Sequence, residues 1–157
     1  MSRAPDPIRI DEADPRSTDA RACLSAYYAE LARRFPGGFD VALSRDPEAE
    51  EMIRPKGAFL VAREGGLPVA CAGLKGRGDW GEVKRLWVAP RARGRGLAGR
   101  LMARIETAAR ELGMTHLRLD TNVALPEAAA LYRKAGWHEI ERFNDDPYAH
   151  LFFGKRL

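Results

Sequence analysis

Apolar positions along the chain recur with two periods, about 3.6 and 2 residues, and the alternation between them lays out helices and strands. Ile8 to Ile10 begins a short strand. Leu24, Tyr27, Tyr28, Leu31 and Phe35 then recur at helical spacing, with Ser17 or Thr18 as N-cap and Pro36-Gly37-Gly38 as the stop. A short acidic helix is expected over Pro47 to Met52. Phe59-Leu60-Val61 and Val69-Ala70-Cys71-Ala72 flank Glu64-Gly65-Gly66 and predict a β-hairpin. Leu97, Leu101, Ile105 and Leu112 mark a helix ended by Gly113. His116 to Asp120 alternates as a strand, with Leu117 and Leu119 on one face. Pro126 suits the first position of another helix, which runs through Leu131-Tyr132 to Gly136. Trp137 to Ile140 and Leu151 to Phe153 supply two closing strands.

In one strand the period slips. Over Glu82 to Val88, strict alternation from Val83 would place apolar residues at 85 and 87, yet the apolar set is Val83, Leu86, Trp87 and Val88. The slip predicts a β-bulge, which disrupts pairing and re-aims groups and is common beside active sites. The pattern as a whole is that of a mixed α/β domain with a strand–loop–helix–strand–helix core. No repeat, low-complexity tract or linker divides it, so residues 1–157 are expected to form a single domain with a flexible lead over 1–7.

Composition narrows the class. The chain has 157 residues, 45% hydrophobic and 31% charged, which favours a folded, soluble globule over a disordered chain. Two cysteines, Cys23 and Cys71, are too few for a disulfide scaffold and are expected as reduced thiols. His116, His138 and His150 lack the spacing of a ligand set, so no metal is expected. Met1 to Pro15 is polar, with Pro5, Pro7 and Pro15 and no apolar segment of a signal peptide. No apolar run approaches the roughly 18 residues of a membrane helix. A cytoplasmic location is expected, with no membrane partner.

The net charge of +4 is unevenly spread: Arg91, Arg93, Arg95, Arg100 and Arg104 crowd one segment. Within it, Arg93-Gly94-Arg95-Gly96-Leu97-Ala98-Gly99 follows a strand and opens a helix. Spaced glycines let backbone N–H groups approach an anion, and the helix N-terminus adds about half a positive charge. Phosphate is the natural ligand, against the plainer reading of a turn with solvated arginines. Gly94 to Gly99 is also a literal G-x-G-x-x-G, and Asp120 lies about where the ribose-binding acid of a dinucleotide fold would. Against that reading, Ala89 to Arg93 separates the strand from the glycines, half the chain precedes the motif, and too little follows Asp120 for a second βαβ half. Nucleic acid is disfavoured because the segment has no aromatic residues to stack on bases.

These residues resemble the GCN5-related N-acetyltransferases, the GNAT superfamily. Its phosphate loop, Q/R-x-x-G-x-G/A, is matched by Arg93-x-x-Gly96-x-Ala98, after a strand ending Leu86-Trp87-Val88-Ala89-Pro90. A second signature, A-x-x-L-Y-x-K-x-G-[FYW], is matched from Ala128 to Trp137. The resemblance runs from about Ile8 to the C-terminal strand. It implies an α/β (mixed α+β) fold, a mostly antiparallel sheet with splayed fourth and fifth strands and flanking helices. It implies acetyl-CoA as donor substrate, with pantetheine in the gap between those strands. Backbone groups of Leu86, Trp87 and Val88 would then hold the pantetheine arm, and Arg93, Gly94, Arg95, Gly96, Leu97, Ala98 and Gly99 the pyrophosphate. Arg100 and Arg104, on one helical face, would serve the 3′-phosphate or merely solubilise the surface.

Acetyl transfer to an amine needs a base, because an alkyl amine with pKa near 10 is mostly protonated at neutral pH. It also needs oxyanion donors and an acid for the leaving thiolate. By resemblance, Glu82 is the candidate base, the Leu86 N–H the oxyanion donor and Tyr132 the acid. Two plainer roles stay open: Glu82 as a strand residue paired with Lys84 or Arg85, and Tyr132 as packing on the face with Ala128 and Ala135. Many members carry an Asn seven residues before the Tyr; here Leu125 stands there, and Asn122 is the nearest substitute. For the acceptor, a primary amine of a small molecule or peptide, Tyr27, Tyr28, Phe35, Phe39 and the loop Phe143–Tyr148 with Asn144 are candidate lining residues. A non-catalytic acyl-CoA-binding or sensory module, or a nucleic-acid-binding domain, are the rival classes. The resemblance also admits a homodimer, which no feature of the sequence fixes.

Overall fold

The computed structural model describes residues 7–41 and 49–157. Along the chain run β1 (Ile8–Glu12), α1 (Thr18–Arg34), β2 (Gly57–Glu64), β3 (Leu67–Gly76), β4 (Trp80–Val88), α2 (Leu97–Glu111), β5 (His116–Thr121), α3 (Pro126–Lys134), β6 (His138–Glu139) and β7 (Leu151–Arg156). One seven-stranded sheet joins them in the order β1-β2-β3-β4-β5-β7-β6. Every neighbouring pair is antiparallel except β4 and β5. The expected mixed α/β architecture with flanking helices is therefore the one observed.

Local chemistry explains most boundaries. Ser17 caps α1, its Oγ accepting from the Ala20 amide, and the helix stops at Phe35 where the backbone turns extended. Gly65 and Gly66 both take positive φ and close the β2–β3 hairpin. Pro126 opens α3 and Gly113 follows α2 with φ 83°. Two elements differ from expectation. In place of an acidic α-helix, Ala49–Met52 is a single 3-10 turn, while positions 47 and 48 lie outside the described residues. The segment 137–140 forms a ladder only at His138 and Glu139, against β7. The flexible lead expected over 1–7 falls outside the described residues except for Pro7.

Burial is continuous along β2 and β3, as in strands covered on both faces, and both α1 and α2 pack on β3. Leu101 and Ile105 of α2 meet Leu60, Ala72, Leu117 and Phe153 in one apolar cluster. The outer edge of the sheet is sealed differently. Arg100 Nη2 donates to the Ile8 carbonyl at 2.9 Å and Arg104 Nη1 to the Ile10 carbonyl at 3.0 Å. One helical turn between the arginines matches a two-residue step along the strand, so α2 caps the edge carbonyls of β1. The two arginines thus have a structural occupation that their sequence position did not suggest.

Candidate active site

The slipped strand is bulged as its pattern predicts. In the β3–β4 ladder Cys71 pairs with Trp87 and Gly73 with Lys84, leaving Arg85 and Leu86 opposite the single residue Ala72. Arg85 takes φ 58°, the one positive φ at a non-glycine among the described residues. The Cys71 thiol donates to the Arg85 carbonyl at 3.3 Å and pins the bulge. On the other side of β4, parallel pairing to β5 covers Trp80 to Glu82 and then ceases. Past that point the two strands diverge around a cavity of about 110 Å³. Its walls are Val83–Leu86 of β4, Asp120 and Thr121 of β5 with the following Asn122, tyrosines of α1, and Leu125, Ala128 and Tyr132 at α3.

Tyr132 is buried, and its ring packs against Trp137 and Phe153 at centroid distances of 6.0 Å each. Burial, helped by the Asp120 carboxylate, pushes its phenol pKa above the ordinary tyrosine value, so it stays protonated. Tyr27 is shifted the same way by burial and the Tyr132 ring, with Arg85 opposing and Asp120 adding. Tyr28 accepts from Arg85 Nε at 2.8 Å, and Phe35 and Phe39 complete an aromatic wall with Tyr148, whose ring lies 4.6 Å from that of Phe39. Asn122 is at the cavity, but its amide is engaged: Nδ2 donates to the Tyr148 carbonyl at 2.9 Å and Oδ1 accepts from the Ala124 amide at 2.8 Å. Leu125 contributes an apolar wall.

Glu82 is 4% exposed and opens on a separate pocket with Asn144, not on the Tyr132 cavity; Lys84 and Asp146 border both. Its carboxylate is paired with Arg77 Nη2 at 3.3 Å and Lys84 Nζ at 3.0 Å. Lys84 also reaches Asp120 at 3.2 Å. Burial opposes the Lys84 charge, yet the Asp120 and Glu82 carboxylates hold its pKa above the usual lysine value, so it is a fixed cation and no base. Asn144 Nδ2 donates to Asp120 Oδ2 at 2.7 Å, which ties the C-terminal loop to β5.

The glycine–arginine loop fits a phosphate by its backbone. Gly94 and Gly96 take φ 77° and 72°, and Gly96 is the N-cap of α2 without a side-chain cap. The first α2 amide with a carbonyl partner is that of Arg100, to Gly96; those from Gly94 to Gly99 have none among the described residues. A Cβ built on Gly94, Gly96 or Gly99 meets no atom within 4 Å, so each glycine leaves open the ground above those amides. The arginines are less free than composition suggests. Arg93 pairs with Glu30 and donates from Nε to the Val88 carbonyl at 2.9 Å, a group expected to serve pantetheine. Arg95 pairs with Glu64, and Arg91 reaches the Pro68 carbonyl at 3.4 Å.

The model of the acetyltransferase (GNAT) family matches residues 24–137, which include the bulge, the loop and Tyr132. This chain belongs to that family. A relative named IAA acetyltransferase, from Azospirillum brasilense, is 41% identical over 115 residues, covering 70% of this chain and 74% of its own length. A solved GNAT-family acetyltransferase from Staphylococcus aureus superposes with TM-score 0.80 at 17% identity over 96% of this chain and 99% of its own. N-acetylglutamate synthase from Neisseria gonorrhoeae, solved with coenzyme A and N-acetyl-glutamate, matches with TM-score 0.70 at 20% identity, over 95% of this chain and 35% of its own.

Within this GNAT member, sequence reasoning missed the charged residues Arg85 and Asp120 at the cavity and Lys75 beside Glu82. Arg85 was read as a gap in the apolar pattern and as a possible partner of Glu82, not as a wall of the cavity. Asp120 was weighed as a ribose ligand in a different fold, although its strand parity with Arg118 already set it apart from the buried Leu117 and Leu119. Lys75 carried no signal. It lies across the ladder from Glu82, is fully buried, and sits 3.2 Å from a Glu51 oxygen. Burial, then the charges of Arg85, Arg77 and Lys84, push its pKa down to about 7. An unfolded lysine holds its proton up to about pH 10.4. Between those values the unfolded chain binds more protons, so stability rises with pH from about 7 upward, and below 7 the penalty is complete. Lys75→Met is expected to raise stability at pH 6 and to flatten this rise. Urea unfolding at pH 6, 8 and 10 measures it, and an unchanged slope rejects the assignment.

Proposed function

We propose that this protein transfers the acetyl group of acetyl-CoA to a primary amine of a small molecule or peptide in the cytoplasm. The observation that carries the reading is the bulge at Arg85–Leu86, beside strands that part after Glu82, with Tyr132 lining the resulting cavity. Membership of the family supports it, as does the set of unpaired amides at Gly94–Gly99, suited to the donor's pyrophosphate.

The residues divide the reaction as follows. Glu82, acting through water across the neighbouring pocket, takes the ammonium proton. The free amine nitrogen attacks the thioester carbonyl carbon, and the Leu86 N–H receives the oxyanion. As the tetrahedral centre collapses, the C–S bond breaks and Tyr132 gives its proton to the sulfur. Arg77 and Lys84 fix the Glu82 carboxylate, and both must tolerate its protonation during each turnover.

An amine panel with acetyl-CoA, read as thiol release, tests the activity. No release with any amine, while acetyl-CoA binds, would reject transfer in favour of a binding module. For the base, Glu82→Gln is expected to remove the rising limb of the pH dependence of kcat/KM. An unaltered profile assigns the base elsewhere.

A further inference from the structure

One charge in the cavity has no part in that scheme. Arg85 is 7% exposed, with Nε on the Tyr28 hydroxyl and Nη1 on Met52 Sδ at 3.2 Å. Among the described residues no carboxylate pairs with its guanidinium, and Nη2 has no acceptor. A phenol and a thioether leave most of the desolvation of a buried cation uncompensated. The backbone is held at a cost as well, since φ 58° strains any residue but glycine or asparagine. Buried cation and strained backbone coincide at a residue lining the reaction cavity, where a ligand anion would relieve the first.

Other walls of the same cavity carry the opposite sign. Asp120 accepts from Lys84 and Asn144 through Oδ2, and among the described residues Oδ1 accepts nothing. Asp146 is 8% exposed, accepts the Tyr148 amide through Oδ1, and has no cation paired with it among the described residues. Arg85 and these two acids thus line one small space from different elements. An acceptor with an amine alone would leave Arg85 unpaired. The amino terminus of a peptide would do the same, because its nearest carbonyl is an uncharged amide.

Resting on the transfer proposed above, we propose that the acceptor is a small amino carboxylic acid whose carboxylate docks on Arg85 while its ammonium lies toward Asp120 and Asp146. A guanidinium fork matches a carboxylate in two hydrogen bonds, which Nη2, without an acceptor among the described residues, and the weakly held Nη1 would supply.

The test compares matched acceptors: free α- and ω-amino acids against their carboxamides and decarboxylated amines, with acetyl-CoA. For the preferred amino acid, kcat/KM is expected to exceed that of its uncharged partners by about thirtyfold, mostly through KM. Arg85→Gln is expected to erase that ratio and leave the acetyl-CoA dissociation constant within about twofold, while Arg85→Lys keeps part of the preference. Calorimetric titration of the same amino acids into wild type and Arg85→Gln reads carboxylate docking without turnover. Thermal unfolding of each variant checks that it folds. Acetylation without a carboxylate preference, or a preference that survives in Arg85→Gln, overturns the inference and leaves acetyl transfer standing. Absent turnover with Arg85-dependent binding would instead defeat transfer alone.

Discussion

Tyr132→Phe is expected to lower kcat by about a hundredfold while acetyl-CoA affinity stays within about twofold. Phenylalanine keeps the ring that packs on Trp137 and Phe153, so folding and the cavity wall survive. What is lost is the proton offered to the departing sulfur. Burial and the Asp120 carboxylate keep that phenol neutral far above physiological pH, so in the wild type the proton is always present. Its donation is useful late, as negative charge gathers on the departing sulfur. Steady-state kinetics alongside equilibrium binding separates the two effects. An unchanged kcat assigns Tyr132 to packing alone.

The second large effect concerns folding. Gly76→Ala is expected to destabilise by on the order of 3 kcal/mol and to lower the melting temperature by about 6–12 °C. A Cβ at Gly76 would lie 1.9 Å from the Lys56 carbonyl oxygen and 3.3 Å from the Met114 methyl. A flexible side chain could move aside, but the first obstacle is backbone. Relief requires the start of β2 to leave the end of β3, next to the turn that carries Glu51 toward Lys75 and Arg77. Thermal unfolding measures the loss, and a shift under about 2 °C would mean that the strands separate more easily than the ladder implies.

Sequence disclosed what depends on near neighbours. Helix α1 with its Ser17 cap, the Gly65-Gly66 hairpin and the Pro126 start of α3 all rest on local geometry. The bulge was legible for the same reason, since one extra residue shifts the phase of Leu86, Trp87 and Val88. Partners distant in sequence were not legible. Nothing within the loop tells that Arg93 meets Glu30 or that Arg95 meets Glu64. Asn122 could be placed near the cavity, yet its amide is spent on Tyr148 and Ala124 in shaping the loop. The burial of Arg85 was not legible because an arginine in a strand ordinarily faces water, and only the third dimension turns this one inward.

The seal on β1 has a temporal side. Arg100 and Arg104 lie 92 and 94 residues beyond the carbonyls they cover. During synthesis β1, β2 and β3 emerge before α2, so the outer strand presents bare carbonyls until the second half of the chain arrives. Over that interval the nascent sheet can recruit a strand from another molecule, and docking of α2 ends the hazard. The two arginines therefore close, late in synthesis, an edge that the growing chain leaves open.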